Sequence, residues 1–446
     1  MNSPSLATLR RASPELPRPS ASAGVDLLPL LAIGGLIATT LTFALTASGT
    51  RMMLPGSLRA SLPAYLVGSF GRSGVNLGLT GLIIVLTLMG LSYAIVVRRA
   101  ERLSVWAVLA PIAALHTVAV LAPPILSTDV FSYVAYSRMG GLYHVNPYLH
   151  GPITVQSDPL IHFVGANWIT TSTVYGPLFT AFGYVLAPFD LAVNVLAYKL
   201  FAGVSSLLVV VFVWKSAVLR GLNPVKAVTL VGLNPVTILY GVGGGHNDLV
   251  MLALLMGAVY LLLRDREGRS GGLIAVAAAV KLTGGLLLPF ALAEGRWRRN
   301  VRWPLTRLLA GVAAATAAIA ALTVVLFGSS VLHLLGTLES IQSHGGPHSI
   351  PGWLLTVVGL HGWIGPVSAV LDVAFVGCVI WLTVEVWRGR LDWITAAGWA
   401  TVALLLTAGF LLPWYVAWLI PLAALSADRR LQGASLALTA VCLTTL

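Results

Sequence analysis

Residues 123–177 read PPILSTDVFSYVAYSRMGGLYHVNPYLHGPITVQSDPLIHFVGANWITTSTVYGP, and they interrupt an otherwise apolar chain with aromatic, hydroxyl and glycine residues. Asp129 stands near the start of this loop, a few residues after the end of an apolar run. A carboxylate at a membrane boundary is costly to keep and usually marks a functional site. We therefore interpret the loop as one wall of an active site and Asp129 as its general base.

The composition around the loop is that of an integral membrane protein. Of the 446 residues, 57% are hydrophobic and 9% are charged, and the mean hydropathy is +0.88, whereas about a quarter of a soluble protein is charged. The net charge of +12 would suit nucleic acid. Most Lys and Arg residues, however, lie in short loops between apolar runs, which indicates insertion orientation and contact with anionic membrane lipids instead. Both cysteines, Cys378 and Cys442, lie inside apolar segments, so neither a disulfide framework nor a Cys metal site is predicted.

The apolar runs predict an all-α membrane protein, a helical bundle of about 11 transmembrane helices in one domain over residues 26–446. Residues 1–25, rich in Arg, Pro and Ser, are predicted to be a disordered cytoplasmic tail. Residues 178–189 are too few to cross about 30 Å of hydrocarbon, so we expect an interfacial helix there. The predicted crossings are 27–47, 76–97, 104–122, 191–214, 225–241, 249–263, 305–327, 366–387, 393–411, 416–425 and 431–446.

The basic loops set the orientation. The Arg-rich cluster at 98–102 is predicted to be cytoplasmic. Since the next apolar run then crosses outward, the 123–177 loop is expected on the outer face. Residues 271–293 are flanked by basic loops on both sides, so both ends favour the cytoplasm. We therefore predict a re-entrant hairpin of two short helices that turns near Lys281. An unpaired Lys at that depth would cost about 2.5–3.5 kcal/mol, so Lys281 needs an anion from the protein or from a ligand.

This topology predicts one outward cavity. Asp129, the glycine turn that ends in His246, Asn247 and Asp248, and the aromatic break at Trp414 and Tyr415 all fall on the outer side, with Lys281 beneath them. A carboxylate, a polar turn, aromatic rings and a buried cation together suit chemistry on a lipid-linked anionic substrate.

The motifs in this order resemble one family. They are the Asp129 segment, NPY at 146–148, VYGP at 174–177, GGHND at 244–248, AAVKLTGGLLLPF around Lys281 and LLPWY at 411–415. From about residue 103 to 427 the chain is similar to the polyprenyl-phosphomannose-dependent α-1,6-mannopyranosyltransferases of the MptA/MptB type, in the GT-C superfamily of membrane glycosyltransferases. It departs from them at Gly284, where related sequences often have Pro.

The resemblance implies a polytopic enzyme of the plasma membrane with its active site on the outer, periplasmic face. The donor would be polyprenyl-phosphomannose and the acceptor the 6-hydroxyl of a lipid-anchored mannan, within a bilayer of membrane lipids and without nucleic acid. Since a glycosyl phosphate carries a good leaving group, one carboxylate as general base suffices, and a Lys can stabilise the departing phosphate. We expect single displacement with inversion and no cofactor; the sequence leaves open whether a divalent cation assists.

Each candidate has a simpler alternative. Asp129, Asn247 and Asp248 could cap helices. Lys281 could snorkel or pair with an interior carboxylate such as Asp372, and Lys199 could snorkel to the outer interface. Arg138 could be an interfacial anchor, and the aromatic residues could form a membrane belt. The substrate-binding candidates are Tyr133, Arg138, Asn146, Tyr148, Tyr175, Lys199, His246, Asn247, Asp248, Lys281, Trp414 and Tyr415.

Other classes of function have less support. His344 and His348 lack a third ligand at useful spacing, so no metal site is predicted. A transferase of another sugar, such as arabinofuranose or glucose, stays open because sequence does not place the side chains that read sugar hydroxyls. A lipid-carrier flippase or other transporter would be expected to show matched repeats in its two halves, and the sequence shows none.

Overall fold

The computed structural model describes residues 26–50, 66, 70, 75–296, 304–343 and 349–444, and every regular element in these ranges is helical. The predicted tail at 1–25 and the residues His344 and His348 lie outside the described ranges. The helices are α1 Leu27–Thr46, α2 Gly78–Arg99, α3 Val105–Leu121, α4 Asp129–Gly141, α5 Pro177–Leu186, α6 Leu191–Leu219, α7 Pro224–Gly232, α8 Asp248–Leu263, α9 Glu267–Val280, α10 Leu288–Gly295, α11 Pro304–Phe327, α12 His333–Ser343, α13 Ile350–Val357, α14 Ile364–Trp387, α15 Trp393–Thr407, α16 Ile420–Ala424 and α17 Arg429–Thr444.

Five helical stretches of the described chain are long and apolar enough to cross a membrane. Their outward faces carry large apolar side chains, such as Val325 and Val373, exposed by 81% and 74%. A surface of this kind is stable only in lipid, so the membrane-protein fold class is confirmed. The number of crossings stays a prediction. The five stretches are Leu27–Thr46, Gly78–Arg102, Leu191–Leu219, Pro304–Gln342 and His361–Trp387.

Helix starts follow from local chemistry. Asp190, Asn223 and Asp392 each accept a hydrogen bond from a backbone N–H of the first turn of α6, α7 and α15. These caps satisfy N–H groups that have no intrahelical partner. The short helix predicted at 178–189 is present as α5.

The crossing predicted at 225–241 is wrong as a continuous helix. It breaks after α7 at Asn234-Pro235, because proline has no N–H to continue the helical ladder. The Asn234 side chain accepts from the N–H groups of Val236 and Thr237 at 3.0 and 3.1 Å. The chain then continues as a π-helix at Thr237–Val242. The crossing predicted at 416–425 is likewise divided between a 3₁₀ helix, Pro413–Trp418, and the five-residue α16.

The predicted hairpin of two short helices is present, and its re-entrant position in the membrane stays a prediction. Helix α9 ends at Lys281, which has extended backbone angles (φ −151°, ψ 127°), and a 3₁₀ segment, Leu282–Leu287, leads into α10. Gly268, Gly271 and Gly272 of α9 face Arg307, Leu308 and Gly311 of α11 in the same order, so these two helices run parallel. Gly295, at the end of α10, contacts Leu305, at the start of α11. Both ends of the 267–295 segment therefore lie at one level, and Lys281 stands at the far end.

Gly284 makes the turn of this hairpin possible. A Cβ atom there would lie 2.8–2.9 Å from backbone atoms of Ala277 and Ala278. Since real Cβ atoms do not approach backbone so closely, a side chain at this position would push the 3₁₀ segment off α9. Glycine at position 284 thus has a packing reason in this chain.

The 123–177 loop is fixed at both ends. At its start, Ile125 N–H donates to the Gly243 carbonyl at 3.2 Å. At its end, Gly176 N–H donates to the Val280 carbonyl at 3.0 Å, directly before Lys281. The loop therefore ties the 243–248 turn to the tip of the hairpin.

Candidate active site

Four chain breaks meet at one place in the structure: the start of α4, the 243–248 turn, the end of α9 and the 3₁₀ helix Pro413–Trp418. At each break, a polar or aromatic side chain lies outside a regular helix or at its end. Asp129, His246, Asp248, Lys281 and Trp414 are thereby brought into one cluster, as the sequence predicted.

Asp129 is the most accessible carboxylate of this cluster. Its side chain is 12% exposed, and its Oδ2 lies 3.6 Å from His246 Nδ1. The Asp129 backbone N–H donates to Ser127 Oγ at 3.1 Å, and the neighbouring Ser127 and Tyr175 hydroxyls act to lower the pKa of the Asp129 carboxyl. Burial raises the pKa of Asp129 to about 6, although the positive charge of Lys281 acts in the opposite direction. A carboxylate whose pKa lies near neutrality is suited to act as a general base.

His246 is a neutral neighbour. Its ring stacks on Trp414 with a centroid distance of 3.8 Å, and burial lowers the pKa of His246 to about 3. The ring therefore presents polar nitrogen atoms to Asp129 without adding charge. The Tyr133 hydroxyl lies 3.5 Å from the same ring nitrogen, Nδ1.

The Lys281 ammonium group is paired with a carboxylate of the protein, that of Asp248. Its Nζ donates to Asp248 Oδ1 at 2.7 Å, and the same oxygen accepts from Trp418 Nε1 at 2.7 Å. The expectation that Lys281 requires a counter-charge is confirmed, but the suggested partner Asp372 is wrong. The ammonium group also lies 4.6 Å from the ring centre of Tyr415 and 5.1 Å from that of Trp418. The carboxylate and the two rings hold the cation in place.

Several buried polar atoms in the cluster have no hydrogen-bond partner among the described residues. They are His246 Nε2, both polar atoms of the Asn247 side chain, and Asp248 Oδ2. All three residues are at most 1% exposed. A buried polar group without a partner costs about 1–3 kcal/mol, so each calls for an explanation. Four such atoms lie in these three consecutive residues, which makes the turn a candidate for contact with a polar ligand.

The alternative that Asp129 and Asn247 only cap helices does not fit the structure. The N-cap of α8 is Asn247, and its side chain makes no cap hydrogen bond. Asp129 is the first residue of α4, and the N-cap is Thr128. The aromatic belt is also wrong for Tyr133, Tyr175 and Trp414, which are at most 7% exposed and lie inside the protein.

Four candidates lie apart from the cluster. Arg138 pairs with Asp158 at 3.0 Å, Asn146 donates to the Phe327 carbonyl at 3.2 Å, and Tyr148 donates to the Tyr175 carbonyl at 2.9 Å. These contacts shape the 123–177 loop, and a role in substrate binding stays a prediction for each residue.

Lys199, the fourth, does not snorkel, because it is 1% exposed. Its Nζ donates to the carbonyl oxygens of Ala122 and, at 3.0 Å, of Pro123. Its stem packs against Gly245, whose φ of +72° suits glycine. Lys199 thus links the start of the loop to the glycine turn.

Trp418 is a residue of the cluster that the sequence interpretation missed. It lies four residues after Trp414 and three after Tyr415, a spacing of about one helical turn that could have indicated a shared face. Its ring stacks on Tyr415 with centroids 4.2 Å apart. The described residues contain no group of three or more His, Cys, Asp or Glu side chains that could hold a metal ion.

Fold and site together define a polytopic helical membrane protein with a buried polar site at converging helix breaks. Comparison with known families assigns it further. A family model described as alpha-(1->6)-mannopyranosyltransferase, N-terminal domain, matches residues 32–294, and the model of glycosyltransferase family 87 matches residues 173–446. The chain belongs to the α-(1→6)-mannopyranosyltransferase family, and its second half to glycosyltransferase family 87.

Curated relatives agree with this assignment. The chain is 29% identical over 354 residues to alpha-(1->6)-mannopyranosyltransferase A of Mycobacterium tuberculosis, covering 72% of this chain and 66% of that protein. It is 26% identical over 371 residues to a probable alpha-(1->6)-mannopyranosyltransferase of Mycolicibacterium smegmatis, covering 72% and 65%. It is 26% identical over 350 residues to alpha-(1->6)-mannopyranosyltransferase B of Corynebacterium glutamicum, covering 68% and 56%. The chain spans at most about two thirds of the length of these relatives.

Proposed function

We propose that the protein is an inverting α-1,6-mannosyltransferase that moves mannose from a polyprenyl-phosphate donor to the 6-hydroxyl of a lipid-linked mannan. Family membership supports the sugar and the linkage. The observation that carries the proposal is the convergence of Asp129 with the Asp248–Lys281 pair in one buried cluster. The positive-inside distribution of Lys and Arg supports a site on the outer face of the plasma membrane.

The residues suit a single displacement. Asp129 removes the proton of the acceptor hydroxyl as its oxygen attacks the anomeric carbon, and the bond from that carbon to the phosphate oxygen breaks. The leaving group departs as polyprenyl phosphate, whose charge is stabilised by an N–H of Lys281 that is not donated to Asp248. Asp248 and Trp418 fix the position of the ammonium group, so little reorganisation is required during the reaction. The unpartnered atoms of His246 and Asn247 provide hydrogen bonds for sugar hydroxyls.

A direct transfer assay tests this proposal. Membranes that contain the protein are supplied with a lipid-linked mannan acceptor and with radiolabelled polyprenyl-phosphomannose or polyprenyl-phosphoarabinose. We expect label to be transferred from the mannose donor only, in an α-1,6 linkage, and no transfer from a nucleotide-linked mannose. Equal transfer of arabinose, or transfer from the nucleotide donor, would contradict the proposed substrate.

The pH dependence tests the role of Asp129 as base. Only the carboxylate form accepts a proton, and burial raises the pKa of Asp129 to about 6. We therefore expect kcat/KM to be constant above this pH and to fall by about tenfold for each pH unit below it. The profile is measured in detergent with protein stability monitored at each pH. A rate that stays constant down to the pKa of an ordinary carboxyl group would exclude Asp129 as the base.

A further inference from the structure

Two half-buried aromatic rings meet beside the polar cluster. Trp168 belongs to the 123–177 loop, and Phe410 belongs to the short segment between α15 and the 3₁₀ helix Pro413–Trp418. Their ring centroids lie 6.3 Å apart with an interplanar angle of 89°, the favourable edge-to-face arrangement. Two different walls of the site thus each contribute one ring to this pair.

Trp168 lies close to the residue that precedes the proposed base. A Cβ atom at Gly165 would lie 2.8 Å from Thr128 Oγ1 and 3.2 Å from Trp168 Cδ1. A single glycine therefore separates the indole ring from Thr128, and Asp129 is the next residue in the chain. Trp168 N–H also donates to the Gly165 carbonyl at 2.8 Å, so this turn fixes the ring beside the start of α4.

Phe410 leads to the other side of the cluster. Four residues after it comes Trp414, whose ring stacks on His246 with centroids 3.8 Å apart. The backbone of Phe410 is held by α12, because its N–H donates to Gln342 Oε1 at 3.2 Å. The Trp168–Phe410 pair is therefore connected through one short segment each to Asp129 and to His246.

Three polar side chains that flank the pair are neutral. The Ser172 and Thr337 hydroxyls hydrogen-bond to each other at 2.8 Å, and the amide of Gln342 is exposed. The ion pair of Lys281 with Asp248, by contrast, lies deeper in the cluster. Half-exposed aromatic rings with hydroxyl and amide groups at their edges suit an uncharged, hydroxyl-rich ligand better than a phosphate.

We propose that Trp168 is the surface on which a sugar ring of the acceptor stacks, with Phe410 supporting it from the edge. This inference rests on the proposed function, because it takes the ligand to be a mannose residue of the acceptor. A hexopyranose presents a face of C–H groups that packs on a flat ring, while its hydroxyls donate to and accept from the neutral polar groups. Stacking there holds the acceptor beside the base that receives its proton.

The aromatic residues singled out in the sequence do not offer such a face. Tyr133, Tyr175 and Trp414 are at most 7% exposed, and their rings pack against one another or against protein side chains. Trp168 is therefore a specificity-determining residue that its sequence neighbourhood alone does not identify.

The test removes the ring with Trp168→Ala and keeps a smaller flat ring with Trp168→Phe. Trp106→Ala is the control, because Trp106 is 76% exposed and lies at the end of α3 remote from the 123–177 loop. Purified full-length protein is assayed with polyprenyl-phosphomannose and the octyl glycoside of α-1,6-mannobiose. KM is measured for each substrate separately, together with kcat and the melting temperature.

Trp168→Ala is expected to raise KM for the mannobioside by about tenfold, the effect of truncating a tryptophan that anchors a ligand. Since this contact serves binding, kcat and KM for the donor should be unchanged. Trp168→Phe should recover most of the affinity, and Trp106→Ala should behave as wild type. If Trp168→Ala does not fold, Trp168→Leu fills the space beside Gly165 without a flat ring and should raise KM for the mannobioside in the same way.

Three results would overturn the inference. The first is an unchanged KM for the mannobioside in Trp168→Ala. The second is an equal loss of kcat and of affinity for both substrates, which would show that Trp168 only holds the loop together. The third is a Trp168→Phe variant that binds the mannobioside as weakly as Trp168→Ala.

A binding measurement separates this inference from the proposed function. Saturation-transfer NMR detects α-1,6-mannobiose on the protein with the donor omitted, so it requires no sugar transfer. Binding that depends on Trp168 in a protein that transfers no mannose would keep the stacking surface and reject the function. Mannose transfer by Trp168→Ala with an unchanged KM for the mannobioside would keep the function and reject the stacking surface.

Discussion

Asp129→Asn is expected to lower the rate of mannosyl transfer by about 10²–10⁴-fold, the usual contribution of a general base. Asparagine has nearly the same shape as aspartate and keeps a side-chain oxygen near the Ser127 and Tyr175 hydroxyls. The substitution therefore removes the proton acceptor with little change in packing. Transfer from polyprenyl-phosphomannose is measured at saturating acceptor, with size-exclusion profile and melting temperature recorded for each variant.

Asp190→Asn is the matched control for this substitution. Asp190 is an exposed carboxylate that caps α6 by accepting from Val193 N–H at 2.9 Å, and asparagine caps a helix as well as aspartate does. We expect transfer by this variant to be unchanged. If Asp129→Asn transferred mannose at the wild-type rate, the acceptor proton would have to go to another group, and Asp129 would be a structural residue.

Lys281→Met is expected to have the largest effect on stability. It leaves the buried Asp248 carboxylate without its cation, and the Asp248 side chain is only 2% exposed. Removing one partner of a buried pair costs about 3–5 kcal/mol, because the remaining charge is uncompensated. The free energy of unfolding is measured by denaturant titration in mixed micelles, and transfer is assayed on the folded fraction.

The matched control is Lys226→Met. Lys226 pairs with Glu101 at 2.9 Å, but both side chains are largely exposed, by 42% and 60%. An exposed pair contributes about 0–1 kcal/mol, so this variant should be nearly as stable as wild type. Equal stability losses in the two variants would show that the depth of the Lys281 pair has no energetic consequence.

The double variant Lys281→Met with Asp248→Asn separates stability from chemistry. The asparagine side chain is neutral and can still accept from Trp418 Nε1, so most of the lost stability should return. Transfer should stay low, because no ammonium group meets the departing phosphate. A double variant that transfers mannose at the wild-type rate would show that Lys281 acts only as the partner of Asp248.

Several parts of the site could be predicted from the sequence, because they follow from local sequence patterns or from the orientation of the chain in the membrane. The hairpin at Lys281 follows from basic loops on both sides of one apolar segment, together with the free energy required to bury a lysine. The cluster of Asp129, His246, Asp248 and Lys281 follows from the same topology, since each residue stands at a break that faces one side.

Other features of the site depend on which of these chain breaks contact each other in the folded protein. The partner of Lys281 is Asp248, 33 positions earlier in the chain, and no periodicity relates the two residues. Trp418 was missed because the acceptor of its indole N–H, Asp248, is distant in the sequence and lies beside it only in the folded protein. Arg138 carries the same charge as Lys281, yet a local carboxylate, Asp158, holds it within the loop.

Composition and hydropathy alone therefore determine that this protein is a helical membrane protein, and the positions of its polar breaks indicate where a site can form. Tertiary structure alone decides that Asp248 neutralises Lys281 and that Lys199 is held by backbone carbonyls. The physical reason is that contacts between segments distant in the sequence determine which charged side chains are buried. Burial raises the pKa of Asp129 and leaves Asp248 dependent on Lys281 for its counter-charge.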